Sequence, residues 1–173
     1  MTYDPLTPIF ERRSCRAFLS DPIPKDDLNR LLEAMRMAPS AGNCQPWRFL
    51  VVQSKEEREA LAVAAFGQDF IADAPIVIVV CVDPARSSAR YGSRGRELYV
   101  LQDTAAATEN LLIAATALGY GTCWIGAFDE AEAARALSLP QKLRPVAMVP
   151  VGKAARKLGK PTRLPMTEIV EMR

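Results

Sequence analysis

The sequence contains no histidine. A Ser-His-Asp triad, a Cys-His dyad and an H-E-x-x-H zinc site are therefore excluded, and proton transfer falls to Asp, Glu, Lys, Tyr, Cys or water. Cysteines stand at 15, 44, 81 and 123, separated by 29, 37 and 42 residues. That spacing holds no C-x-x-C and no zinc pattern, so no metal site is expected. They read as reduced thiols of a cytoplasmic protein, with Cys81 in the core.

Three clusters carry residue types suited to ligand chemistry. The first is Arg12-Arg13-Ser14-Cys15-Arg16. Three guanidiniums and a hydroxyl within five residues suit a phosphate, to which arginine makes forked contacts. The same residues could equally be a solvated basic patch closing a helix. The second runs from Pro39 through Ser40, Asn43 and Gln45 to Trp47. Its hydroxyl and amides offer donors and acceptors to a heteroaromatic edge, or form an ordinary loop. The third is Gly119-Tyr-Gly-Thr-Cys-Trp-Ile-Gly126. Gly126 would let a planar ligand approach the backbone. This is no dinucleotide fingerprint, because G-x-G-x-x-G would need Gly where Trp124 stands. A tight helix-to-strand turn is the other reading.

The elements that must position these clusters follow from capping and periodicity. Thr7-Pro8 opens a short helix that ends near Arg12 and Arg13. From Pro24 a second helix carries Leu28, Leu31, Leu32 and Met35 on one stripe and stops before Pro39. Trp47–Val52 reads as a strand. Ser54 and Glu57 form a capping box for a helix through Ala65, which Gly67 can end. Ile76–Val82 is a continuous β-branched run, expected as a central strand buried on both faces. Residues 83–96 are polar and rich in arginine, and are expected to be a surface loop or lid. Arg86, Arg90, Arg94 and Arg96 there are either solvated or placed to attract an anionic substrate or a cofactor phosphate. A long helix is expected over 97–118, with alanines at 105–107 allowing close helix approach, and Gly119 suits the left-handed position after it. Residues 122–125 and 146–151 read as strands, with an Asp129-capped helix to about Leu137 between them. The tail, 153–173, is basic, extended and poor in a core of its own, so a second subunit is its expected support.

The whole is 173 residues with 49% hydrophobic and 24% charged side chains, the usage of one globular domain. The formal net charge of +2 gives no electrostatic reason to expect nucleic acid. No basic start followed by an apolar stretch suggests a signal peptide, and the longest apolar run is too short to span a bilayer. Four strands among five or six helices argue for an α+β or α/β domain covering 1–173, not a sandwich or barrel.

Taken together the chain resembles the FMN-dependent nitroreductase family, in particular its short, NAD(P)H-dependent members. The resemblance rests on E-R-R-S-C-R-A-F at 11–18, A-P-S-A-G-N-C-Q-P-W at 38–47, A-P-I-V-I-V-V at 74–80, G-Y-G-T-C-W-I-G at 119–126 and R-P-V-A-M-V-P-V-G at 144–152. It implies an α+β fold with a central, mostly antiparallel sheet, and a homodimer with FMN at the subunit interface. It implies that Arg12, Arg13 and Ser14 hold the phosphate and ribityl end, and that Arg16 sits near the N1/O2 edge. It places Pro39, Ser40, Asn43 and Gln45 on the flavin of the other subunit, and Ile125 and Gly126 beside N5 through backbone. Arg163, with Lys160 second, is the tail's expected phosphate ligand, and Gln68 resembles an amide that meets the polar edge.

The resemblance also implies the chemistry. A reduced nicotinamide gives hydride to flavin N5 and leaves. A nitroaromatic, quinone or similar small acceptor then takes its place, a ping-pong exchange with no catalytic side chain. Flavin-fragmenting relatives carry an acidic residue where this chain has Ser14, which argues against that activity. A reductive dehalogenase, whose lid would be 83–96, and a non-catalytic flavin carrier or sensor are the alternatives.

Overall fold

The computed structural model describes residues 4–173. In chain order the elements are α1 (Thr7–Glu11), α2 (Lys25–Arg36), β1 (Trp47–Val52), α3 (Lys55–Ala64), α4 (Phe70–Asp73), β2 (Ile76–Val82), α5 (Pro84–Arg94), α6 (Val100–Ala117), β3 (Gly121–Thr122), α7 (Glu130–Ala136), β4 (Arg144–Gly152) and α8 (Met166–Ile169). The four strands form one sheet in the order β1-β2-β4-β3, and every neighbouring pair is antiparallel. The α+β expectation holds.

The sheet is sandwiched because β2 is apolar on both faces, and all seven of its residues are buried. Alternate side chains point to opposite faces. Val77, Val79 and Cys81 pack with Leu61 and Ala62 of α3, Ile71 of α4 and Ala133 of α7. Ile76, Ile78 and Val80 pack with Leu31 and Met35 of α2 and Leu111, Leu112 and Ala115 of α6. The Asn110 amide fixes α6 on α2, donating to the Ala34 carbonyl at 2.9 Å. The capping signals at Ser54 and Asp129 act as expected, whereas Thr7 is itself the first helical residue of α1 and Leu6 before it supplies no side-chain cap. The Ser54 hydroxyl accepts from the Glu57 N–H, and the Asp129 carboxylate from the Glu132 N–H.

Residues 83–96 are not a loop. They form α5, whose first turn is capped by the Asp83 carboxylate accepting from the Ala85 N–H, with Pro84 at the first helical position. Gly92 kinks its end, and a π turn over Gly95–Tyr99 runs into α6. The long helix thus begins at Val100 rather than Glu97. The expected strand over 122–125 is shorter, Gly121–Thr122, with Ile125 bridged separately to Met148. The tail is extended apart from one short turn of helix, α8. No helix among the described residues is long and apolar enough to cross a membrane.

Candidate functional site

Residues 12–16 leave α1 and cross the end of the sheet. Their path is set by backbone: the Cys15 N–H donates to the Thr122 carbonyl at 2.7 Å, and Ser14 bridges Thr122. The contact is close because residue 121 is glycine; a Cβ there would lie 2.8 Å from the Cys15 Cβ. Cys15 is fully buried against Phe18 and Ala74. With Cys15 locked inward, Ser14 and Arg16 are left exposed and Arg12 and Arg13 half-buried.

Arg13 is held by its own neighbours, donating to the Phe10 and Arg12 carbonyls at 2.6 Å each. Arg12 faces Glu109 of α6 at 3.4 Å. Both arginines line a cleft of about 490 Å³ whose other wall is the tail, through Lys160, Pro161 and Arg163. Two cations from the chain's start thus line the same cleft as two from its end, with Glu109 beside Arg12 at 3.4 Å and Glu11 beside Arg13 at 3.9 Å. The volume lies in the range of small-molecule sites. The donor set fits a phosphate: guanidinium forks and an ammonium, on a partly shielded wall.

Residues 123–127 follow β3 and lie against β4. Ile125 is buried and exchanges both backbone hydrogen bonds with Met148, at 2.9 and 3.0 Å. Gly126 is exposed, with open space where a side chain would stand. Gln68 lies beside it, its amide donating to the Ala65 and Ala127 carbonyls at 3.1 and 3.2 Å. That amide therefore has its carbonyl oxygen left to accept. Burial pushes the Cys123 thiol up, while the Arg16 charge and a hydrogen bond with Ser14 pull the other way. Cys81 is pushed up to about 12 by burial. Neither thiol is a thiolate near neutral pH.

The 39–46 loop stands apart from the Arg12 cleft within one chain. Its backbone is tightly specified. Gly42, Asn43 and Gln45 have left-handed φ of 53°, 56° and 49°, with Cys44 right-handed at −69° between the last two, and only the first is glycine. The two non-glycine residues cost of order 1–3 kcal/mol each and persist where surroundings over-determine them. Three contacts do so here. The Ser40 hydroxyl accepts from the Gln45 N–H at 3.0 Å. The Asp103 carboxylate of α6 accepts from the Ala41 N–H at 3.0 Å. The Arg90 guanidinium of α5 donates to the Gly42 carbonyl at 3.0 Å. Asp103 is buried with its second oxygen unpartnered, and burial pushes its carboxyl up against the opposing pull of the Ala41 N–H. The result presents Asn43 exposed and Ser40 and Gln45 half-buried. Pro39 is exposed at the loop's entry and Pro46 buried at its exit.

The structure thus brings Arg12, Arg13, Lys160 and Arg163 into one cleft, and Gln68 beside Gly126. It leaves Pro39, Ser40, Asn43 and Gln45 on a separate loop. Sequence reading missed Glu109 and Asp103, and it named Arg90 only as a cation of the 83–96 segment, not as a support of the 39–46 loop. The Asp83-Pro84 helix start could have revealed the element carrying Arg90; nothing local marks the other two.

Known proteins resemble the chain in sequence and in fold. The nitroreductase family profile matches residues 9–68 and 62–153. An Archaeoglobus fulgidus protein provisionally named NADH dehydrogenase/NAD(P)H nitroreductase is 38% identical over 149 residues, covering 83% of this chain and 82% of its own. The Bacillus subtilis protein named FMN reductase (NAD(P)H) is 28% identical, covering 92% of this chain and 69% of its own. The crystal structure of a nitroreductase family protein from Streptococcus pneumoniae superposes with a TM-score of 0.88 at 26% identity, over 97% of this chain and 99% of that one. Matched across most of its length in sequence and in fold, the chain belongs to the nitroreductase family of oxidoreductases.

Proposed function

We propose that the protein is an FMN-dependent NAD(P)H oxidoreductase that reduces nitroaromatics, quinones or similar small acceptors. The observation that carries this reading is the convergence of Arg12, Arg13, Lys160 and Arg163 on one cleft from opposite ends of the chain. Four cations against the two carboxylates Glu109 and Glu11 leave net positive charge, which suits the FMN phosphate. The names of the Archaeoglobus and Bacillus relatives support the donor and the flavin.

In this reading Arg12, Arg13, Lys160 and Arg163 hold the phosphate, and Ser14 and Arg16 the ribityl chain and pyrimidine edge. Ile125 and Gly126 flank the ring through backbone, and the free oxygen of Gln68 accepts from its polar edge. When bound, FMN supplies hydride exchange between a reduced nicotinamide and an organic acceptor. Arg16 places positive charge where reduction makes the ring edge negative, the kind of fixed electrostatic support that eases such chemistry. The open space at Gly126 leaves the backbone free for a flat substrate. With no histidine in the sequence and with Cys81 and Cys123 buried, proton delivery falls to solvent.

Pro39, Ser40, Asn43 and Gln45 then serve the flavin of a second copy. Support comes from the tail, where Leu164, Met166, Ile169 and Met172 are each at least 60% exposed. A homodimer would cover them. The test is the visible spectrum of the purified protein, followed by anaerobic NADH or NADPH. A yellow protein that bleaches and recovers on adding a quinone or nitroaromatic is expected. A yellow protein that no nicotinamide bleaches would instead be a flavin carrier, and a chain that takes up no FMN would refute the reading.

A further inference from the structure

Helix α5 carries Arg86 and Arg90 one helical turn apart, with Arg94 just beyond the Gly92 kink and Arg96 in the π turn. All four are exposed. Among the described residues, none of these guanidiniums lies within 4.0 Å of a carboxylate. Elsewhere among the described residues Arg12, Arg13, Arg30, Arg36, Arg135, Arg144 and Arg173 each meet an acidic partner. Like charges one turn apart weaken a helix by a few tenths of a kcal/mol. No carboxylate offsets that here.

Two of these side chains are also held rather than loose. Arg90 lies over the Tyr91 ring at 5.4 Å and donates to the Gly42 carbonyl. Arg94 lies over the Tyr99 ring at 5.3 Å and donates from Nε to the Tyr99 hydroxyl at 3.0 Å. The two rings pack edge to face at 5.2 Å, drawing both arginines into one patch. A guanidinium has five N–H donors, so each keeps most of its fork free. The patch is anchored to the 39–46 loop through Gly42, so wherever that loop meets a ligand, the patch goes with it.

We propose that the arginine face of α5 binds the phosphates of the nicotinamide donor. The inference rests on the oxidoreductase reading above. A dinucleotide places its reactive ring at one end and its charge at the phosphates behind it. A preorganised guanidinium patch beside the flavin-contacting loop matches that second part, and guanidinium forks fit phosphate oxygens.

The test is calorimetric titration of the FMN-loaded protein with NADP+ and with NAD+. The variant is Arg86→Gln/Arg94→Gln; Arg90 is left intact because it also anchors the loop. NADP+ affinity is expected to fall about tenfold in the variant, the lower range for charge-assisted contacts at an exposed site. A fall for NADP+ alone assigns the contact to the 2′-phosphate, and an equal fall for NAD+ assigns it to the pyrophosphate. Wild-type affinity should also weaken as KCl rises, less steeply in the variant. A yellow holoprotein whose affinities ignore both the substitutions and the salt overturns the proposal alone. A protein without flavin absorbance fails the underlying reading, and is recognised before the titration begins.

Discussion

Gly121→Ala should damage cofactor binding from a position that touches no ligand. Its new Cβ would stand 2.8 Å from the Cys15 Cβ and 2.9 Å from the Cys15 Sγ. Carbon pairs prefer about 3.5–4.0 Å, so roughly 1 Å must be found. Cys15 cannot swing away: it is fully buried, packed on Phe18 and Ala74, with its thiol donating to the Ala17 carbonyl at 3.2 Å. Thr122, next in the strand, is tied back to Cys15 through the 2.7 Å backbone bond. The strain therefore moves residues 12–16 as a unit, and with them Arg12, Arg13 and Arg16. Overpacking of this kind costs about 1–3 kcal/mol, or roughly 2–12 °C in Tm for a chain of this size. Displacing binding groups by about 1 Å can cost up to 100-fold where geometry matters, so FMN affinity should fall by about tenfold or more. Flavin fluorescence quenching reads the affinity, and circular dichroism of the flavin-free protein reads Tm without ligand linkage. Adding Cys15→Gly removes both clashing atoms and should return FMN affinity towards wild type, though not stability, since buried packing is lost. A Gly121→Ala protein with wild-type FMN affinity and a Tm within about 1 °C of wild type would refute the reasoning.

Arg12→Ala should weaken FMN binding by about 10- to 100-fold, the value of a hydrogen bond to a charged group; unchanged affinity in the same quenching assay would remove Arg12 from the phosphate site. Tyr120 is pushed up to about 12, first by burial and then by its hydrogen bond to, and the charge of, Asp27. An unfolded tyrosine titrates near about 10. Because the folded value is the higher one, the contribution is complete below about pH 10 and disappears as pH climbs to about 12. Urea denaturation should therefore show wild type losing stability relative to Tyr120→Phe across that window, and parallel curves would contradict it. Cys15, Cys81 and Cys123 are buried and Cys44 only half so, so a thiol reagent at pH 8 should label Cys44 first; Cys44→Ser should keep its turnover, and its loss with flavin retained would make Cys44 a participant in the chemistry.

The parts of this fold legible from sequence are those whose cause is local. Strand β2 announces itself because a run of seven apolar residues can only be satisfied between two layers. Helices α3 and α7 announce themselves because Ser54 and Asp129 bond N–H groups three residues away. Helix α5 has as local a cause, the Asp83 cap with Pro84, yet reads as a loop. Its polar surface and the Gly92 kink hide the apolar periodicity, and its support comes from Tyr91 packing on Tyr99 across the π turn. The site divides on the same line. Arg12, Arg13, Ser14 and Arg16 are legible because type and spacing coincide within one segment. Their meeting with Lys160 and Arg163 is not, since no period in either segment encodes the other; only the resemblance pointed there.

The 39–46 loop makes the physical reason plain. Asn43 and Gln45 sit at φ values a free peptide avoids, so propensity alone would call for a different backbone there. Besides the Ser40 hydroxyl on the Gln45 N–H, what holds the loop is a carboxylate on α6, 62 residues from the Ala41 it binds, and a guanidinium on α5, 48 residues from Gly42. A conformation chosen against local preference must be sustained by distant groups, and a ligand loop is where such a choice has use: it fixes Ser40, Asn43 and Gln45 before a ligand arrives, so that binding need not order them. Asp103 is therefore a residue that local pattern reading passes over, because its part in the loop exists only once α6 is packed beside it.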